Sequence, residues 1–208
     1  MLIIVWADDA GKEEFKRKKI GDEAEVIFIE NISETAGYSG AEGIFLLKEY
    51  SGKNEDYKVL PAVPVFINSV VHTLKELNLP ENFSRVNGWP GFLNSGSWEV
   101  ATNNETGVKD LFNRLNWNYI RVADEAGLVS ARIISMIINE AYFATGENVS
   151  SKDEIDLAMK LGTNYPYGPF EWSKKIGLHR IYSLLKKMGE TDSRYTIAPA
   201  MKTELFNN

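Results

Sequence analysis

Four runs in the first third of the chain, "LIIVW" (2–6), "AEVIFIE" (24–30), "GIFLLKEY" (43–50) and "VPVFINSV" (63–70), are dense in β-branched and aromatic residues, and several are continuously apolar. A strand wet on one face alternates apolar and polar residues, whereas a strand of a parallel sheet covered on both faces does not, so these runs constrain the fold most. Two of the intervening segments, "KEEFKRKK" and "VVHTLKELNL", read as crossover helices, which leaves the sheet thinly covered. "SRVNGW" (84–89) and "NYIRVAD" (118–124) read as further strands. Between them Val108, Leu111, Phe112 and Leu115 fall at i, i+3, i+4 and i+7, one face of a helix.

After Asp124 the texture changes to helix. "EAGLVSARIISMIINEAYFATG" is apolar around most of its circumference, with Arg132, Ser135, Asn139 and Glu140 on a narrow polar stripe. A helix wet on so little of its surface is covered by neighbours or by another subunit. Ser151 and Glu154 make a capping box for "KDEIDLAMKL", and Gly162 sits where a left-handed C-terminal cap is expected. "GTNYPYGPFEW" is a loop set by Pro166, Gly168 and Pro169 that leads into a helix ending near Gly177, and "LHRIYSLLKKM" closes at Gly189. The expected division is 1–123 as an α/β domain and 124–208 as a helical one.

Composition removes several classes of function. The 208 residues include no cysteine, which excludes disulfides, thiolate nucleophiles and zinc–thiolate sites. Two scattered histidines, His72 and His179, make no metal-ligand spacing, so no metal is expected. A net charge of −6 and no basic stretch longer than "KRKK" argue against nucleic acid as a partner. The start lacks a basic leader region, and "IISMII", the longest apolar run elsewhere, is far below the roughly 20 residues that span a bilayer. The expectation is a cytoplasmic protein without a membrane partner.

"DEAGLVSARIISMIINEAYFATGENVSSKDEIDLAMKLGTNYPYGPFEWSKKIGL" and the closing "RYTIAPAMKTEL" resemble the C-terminal helical domain of the 3-hydroxyacyl-CoA dehydrogenases. The first half is similar in outline only. The resemblance implies a reduced Rossmann-like parallel sheet followed by the helical domain of that family. It also implies NAD as the family's cofactor, bound through a G-x-G-x-x-G turn after the first strand. Here that turn reads "ADDAGKEEF": one glycine, Gly11, survives, and Asp8 and Asp9 stand where an anionic pyrophosphate should approach. Only about 60 residues precede "PVFINSV", fewer than the family has, so part of the nucleotide fold is expected to be missing and no cofactor to bind.

"FINSV" and "RVNGWPGFLNSGSWEVA" resemble the family's S-N-T-S and R-x-x-G-x-H-F-F-N-P segments with the following V-E-V strand. Counted from Arg85 and Gly88, the family's catalytic histidine falls on Pro90, while Ser69 matches its oxygen-holding serine and Glu99 the acid that orients the histidine. In "DEAGLVSAR" the family's site asparagine falls on Ala131, and Arg132 is kept. Ser69 and Glu99 are therefore the candidate catalytic residues, retained without the base, and Asn68, Ser69, Trp89 and Asn94 the candidate substrate-binding residues. Read as plain structure, Ser69 caps the next helix, Glu99 is an edge-strand surface residue, and Trp89, Phe92 and Trp98 pack the core. His72 reads as a helix residue on the face of Ser69, and His179 as packing or capping a C-terminal helix. The resemblance implies a catalytically degenerate relative that keeps a homodimer scaffold and a pocket for an acyl-CoA thioester. An active NAD-dependent 3-hydroxyacyl-CoA oxidoreductase with a rearranged site, and a non-catalytic partner subunit of a complete dehydrogenase, stay open as alternatives.

Overall fold

The computed structural model describes residues 1–21, 24–49 and 60–207, so Tyr50, the last residue of the 43–50 strand candidate, lies outside the described residues. Packing divides the chain into two units, Met1–Leu128 and Val129–Asn208. The first unit is a seven-stranded sheet. Its strands are β1 (Leu2–Trp6), β2 (Glu25–Ile29), β3 (Ala41–Leu46), β4 (Val65–Asn68), β5 (Phe83–Val86), β6 (Ser97–Thr102) and β7 (Asn118–Arg121). They run in the order β2-β1-β3-β4-β5-β6-β7, and every pair is parallel except β5 with β6. The chain passes from β2 back across β1 to β3, which puts a topological switch point outside the C-terminal ends of β1 and β3, where open α/β sheets bind their ligands.

Both sheet faces are covered, as the unbroken apolar runs require. On one face α1 (Asp9–Lys16) supplies Phe15 and α3 (Glu105–Leu115) supplies Val108, Leu111, Phe112 and Leu115. They close over Phe45, Phe66, Trp98 and Trp117, with Phe45 and Phe66 stacked at 4.7 Å and 12°. The other face holds Ile4, Ile44, Leu46, Val65, Ile67 and Phe83 beneath Leu74 and Leu77 of α2 (Leu74–Leu77). A single 3-10 turn, Ile32–Gly37, links β2 to β3. The helix expected over "VVHTLKELNL" shrinks to four residues because Asn78 turns left-handed (φ 48°) directly after it. His72 consequently precedes the helix and shares no helical face with Ser69.

Arg85 ties the far side of the sheet together. Its side chain is fully buried, and it donates from Nε to Ser69 O (2.7 Å) and from Nη2 to Val70 O (3.2 Å) and Glu125 O (3.3 Å). Nη1 pairs with the Asp124 carboxylate at 2.5 Å. Asp124 in turn accepts from the first N–H groups of α2, Leu74 and Lys75, at 2.9 and 3.2 Å, and Gly127 N donates to Val70 O at 2.8 Å. Residues 124–128 are thus fastened to the sheet by charge and backbone hydrogen bonds, which is why the unit ends at Leu128 and not at the change of texture near Asp124.

The second unit is helical: α4 (Ser130–Gly146), α5 (Lys152–Thr163), α6 (Pro169–Ile176), α7 (Leu178–Gly189) and α8 (Pro199–Phe206). The capping box at Ser151 and Glu154 forms as read, and its hydrogen bonds hold Glu154 down at about 2. Gly162 is not the C-cap. It lies in the last turn of α5, and Asn164 closes the helix in the left-handed conformation (φ 57°), which asparagine tolerates better than other side chains. The "YPYGPFEW" loop is held by Asp156 of α5, whose carboxylate accepts from Phe170 N (2.7 Å) and Glu171 N (3.1 Å) at the start of α6. That contact needs a glycine at 168, because a Cβ there would lie 2.3 Å from Asp156 Oδ1. Asn139 of α4 pins the tail, donating to Thr196 O and accepting from Ala198 N at 2.8 and 2.9 Å. Among the described residues no helix is long and apolar enough to cross a membrane.

Two stability outcomes are expected. Arg85→Ala removes the cation and strands buried carbonyls beside an unpaired carboxylate, so urea unfolding followed by tryptophan fluorescence should show a loss of about 3 kcal/mol or more. Gly168→Ala overpacks the Asp156 cap and should lose about 1–3 kcal/mol in the same measurement.

Candidate functional site

At the switch point two residues, Ala7 and Asp8, separate β1 from α1. Asp8 is its N-cap, and the Asp8 carboxylate accepts from Gly11 N at 2.8 Å, with Asp9 following in the first turn. This is sound helix chemistry, since acids favour the positive end of the helix dipole. It also means that a carboxylate holds an N–H group of the kind that receives the pyrophosphate in dinucleotide-binding folds. Glu30, at the C-terminal end of β2, occupies the place where such folds carry an acid for the ribose, and here it is paired with Lys12. That hydrogen bond lowers the Glu30 carboxyl and raises the Lys12 amine. Trp6 Nε1 donates to Glu30 O at 2.9 Å, and Lys48 Nζ stands 4.9 Å over the Trp6 ring. Two aspartates, Asp8 and Asp9, thus stand at the helix start, with Gly11 the one glycine of that turn.

The second group of candidates surrounds the turn after β5. Asn68 ends β4 with both halves of its amide engaged: Nδ2 donates to Leu47 O (3.1 Å) and Oδ1 accepts from Gly88 N (3.0 Å). A Cβ at Gly88 would lie 2.5 Å from Asn68 Cγ, so only glycine permits the approach. Ser69 is buried, and its hydroxyl donates to His72 O at 3.0 Å; the N-cap of α2 is Thr73, not Ser69. Trp89 is fully buried, and its indole N–H has no partner among the described residues. Pro90 follows, then Gly91, whose N–H donates to Glu14 Oε1 at 2.7 Å while Glu14 Oε2 is buried without a partner among the described residues. Asn94 is exposed at the tip.

The far limb of the turn is fastened by Lys18, which donates to Ser95 O at 2.8 Å with Nζ 5.2 and 4.8 Å over the Trp98 and Trp117 rings. Burial brings its amine down to about 8. Glu99 lies on β6 between two paired strands, so it is not on an edge. Trp98 and Val100 enter the aromatic cluster, which turns the half-buried Glu99 to the opposite face, the one Arg85 takes on β5. The structure brings Asn68, Ser69 and Trp89 into one corner and leaves Asn94 outside it. Glu14, Lys18 and Glu30 escaped the sequence reading. Glu14 and Lys18 act on residues 77 positions away and carry no local signal, whereas the spacing of Glu30 from the α1 turn was visible.

In the helical unit Ala131 is fully buried on α4, and Arg132 Nη1 donates to the Tyr195 hydroxyl at 3.0 Å. His179 is exposed in the first turn of α7. A largely apolar groove of about 430 Å³ runs between α4, α5 and α6, lined by Met136, Ile137, Ala144, Ile155 and Met159, with Glu140 at its side. Ile133 of α4 and Leu157 and Leu161 of α5 are exposed.

Residues 127–208 match the family model of the 3-hydroxyacyl-CoA dehydrogenase C-terminal domain. The chain is 45% identical over 69 residues to the 3-hydroxyadipyl-CoA dehydrogenase of Escherichia coli K12, which covers 33% of this chain and 14% of that protein. It is 35% identical over 107 residues to the probable 3-hydroxybutyryl-CoA dehydrogenase of Bacillus subtilis, covering 50% of this chain and 37% of the relative. The matches thus span well under half the length of these curated relatives. The fold is that of the (S)-3-hydroxybutyryl-CoA dehydrogenase of Ralstonia eutropha, with a TM-score of 0.71 at 19% identity over 98% of this chain and 93% of that one.

Because the Lys18 amine lies over two indoles, its deprotonation should be visible in them. Tryptophan emission of the native protein is expected to titrate with a midpoint at about 8, and Lys18→Met to abolish that transition while the fold persists by circular dichroism.

Proposed function

The chain is a relative of the 3-hydroxyacyl-CoA dehydrogenases, and from that premise we propose that it is a catalytically degenerate one, keeping the scaffold and an acyl-thioester pocket without oxidising its ligand. The observation that carries the reading is the Asp8 carboxylate on Gly11 N, an internal anion at the helix start that a dinucleotide's phosphates would need. Pro90 supports it. In the position that the resemblance gives to a proton-accepting imidazole stands a ring with no titratable group, and loss of a general base alone typically costs about 10² to 10⁴ in rate. The polar side chains retained nearby hold backbone: Ser69 bonds the His72 carbonyl, and Asn68 bridges Leu47 to Gly88. Among the described residues the Trp89 N–H and the second Glu14 oxygen are a buried donor and a buried acceptor without a partner.

The same reading makes the protein a homodimer through its helical unit. The apolar groove between α4 and α5, together with exposed Ile133, Leu157 and Leu161, gives an amphipathic surface that water does not favour. Sedimentation at micromolar concentration is expected to give a dimer, and a monomer would overturn this part of the proposal.

With NAD and 3-hydroxybutyryl-CoA the native chain should give no change in NADH absorbance, and Pro90→His should give none either, because the nucleotide turn is still acidic. Turnover by the native chain would refute degeneracy. Calorimetry with acetoacetyl-CoA is expected to show binding, and no heat at millimolar ligand would reduce the protein to a scaffold.

A further inference from the structure

The Lys18 amine lies against two indoles without a carboxylate partner among the described residues. Nζ donates to Ser95 O at 2.8 Å and stands 4.8 and 5.2 Å from the Trp117 and Trp98 rings, and Trp117 Nε1 bonds Lys19 O at 2.9 Å, which fixes the backbone beside it. The acids that could neutralise the ammonium are engaged elsewhere. On α1, Glu13 pairs with Lys16 and Glu14 bonds Gly91 N; on α3, Arg114 pairs with Glu42; on β6, Glu99 turns to the other face of the sheet; and the chain neighbours Arg17 and Lys19 are themselves cations. The indole faces attract a cation but carry no counter-charge, so burial prevails and brings the amine down to about 8. At pH 8 about half of Lys18 then carries a free electron pair, against about one in three hundred for a lysine at the usual value of about 10.5. The amine is only half-buried and the tip beside it, Asn94, Ser95 and Gly96, is exposed, so a reagent in solution can reach it.

We propose that Lys18 is an acyl-acceptor site, at which the amine attacks the carbonyl carbon of an acyl thioester. A C–N bond forms, the C–S bond breaks, the sulfur leaves with the electron pair, and the surplus proton on nitrogen passes to the thiolate or to water. The products are an amide and a thiol, and nothing is oxidised or reduced. A lysine freed of its charge by desolvation is the usual form of a nucleophilic one. The product suits the place better than the ammonium does: an amide sets no charge against the indoles, and its N–H can still donate to Ser95 O. The choice of a thioester rests on the function proposed above; the reactivity of the amine does not.

The test incubates the full chain at pH 8 with the acetyl thioester of N-acetylcysteamine, which lacks the nucleotide of coenzyme A, and follows acetylation of each lysine by peptide mass spectrometry. Exposed Lys186 and Lys202 are the references. A lowered pKa also weakens each free amine as a nucleophile, so Lys18 should react roughly tenfold faster than they do and not by the full ratio of free amine. Its rate should level off above about pH 8 while theirs keep rising, and its advantage should vanish in urea. Reaction of Lys18 no faster than that of Lys186 and Lys202, or an advantage that survives unfolding, overturns the proposal. Binding of acetoacetyl-CoA by calorimetry is read separately: if it fails while Lys18 still leads, the pocket falls and the acceptor site stands.

Discussion

One buried guanidinium organises the end of the sheet at which the candidate residues lie. Arg85 has no exposed side-chain surface, and its donors reach the carbonyls of Ser69, Val70 and Glu125 and the carboxylate of Asp124. Desolvation lowers its pKa and the Asp124 charge opposes that fall, so the partners offset the cost of burying the cation. Three chain segments that are remote in sequence, the exits of β4 and β5 and the stretch at 124–128, are joined by that single side chain. Leucine in its place would leave those carbonyls unpaired, and lysine could not reach four acceptors from one planar head.

With that end fixed, the turn at 87–96 becomes a knot of backbone contacts. Asn68 holds Gly88, Glu14 holds Gly91, Lys18 holds Ser95, and the Trp98 indole donates to Leu93 O. Each of these side chains is polar and could be read as chemistry from its type alone. In the fold each acts on a peptide group, which needs a partner as much as any ligand does. The bend-rich composition of "NGWPGFLNSGSWEV" follows: glycine at 88 admits the Asn68 amide, and glycine at 91 takes a φ of 97°.

How much of this was legible in the sequence divides along a physical line. The sheet and the helices rest on local periodicity, so β1 to β5 and β7, the long α4, and the Ser151 cap could all be read from the chain. β6 was harder, because Glu99 interrupts its apolar run although both neighbouring strands cover it. Gly162 and Asn164 competed for one cap, and propensity favoured the wrong one. The site contacts depend on which distant segments meet. Glu14 and Gly91 are joined across 77 positions, and neither residue's neighbours hint at the other.

The uneven resemblance of the two halves has the same origin. In the helical unit the recognisable residues carry the architecture: Asp156 caps α6, Gly168 makes room for it, Glu171 closes the capping box on Gly168 N and pairs with Lys160, and Asn139 pins the tail. Such residues are required whenever the fold is kept, whatever chemistry is or is not performed. In the α/β unit the sheet asks only for apolar runs, which many sequences satisfy. The positions that differ there, Asp8, Asp9 and Pro90, are ones that a hydride-transferring site would constrain and a sheet would not. On the reading proposed above, a chain that keeps its helical framework and is released from that chemistry diverges in this pattern, with packing residues intact and the turn positions serving as caps and turns.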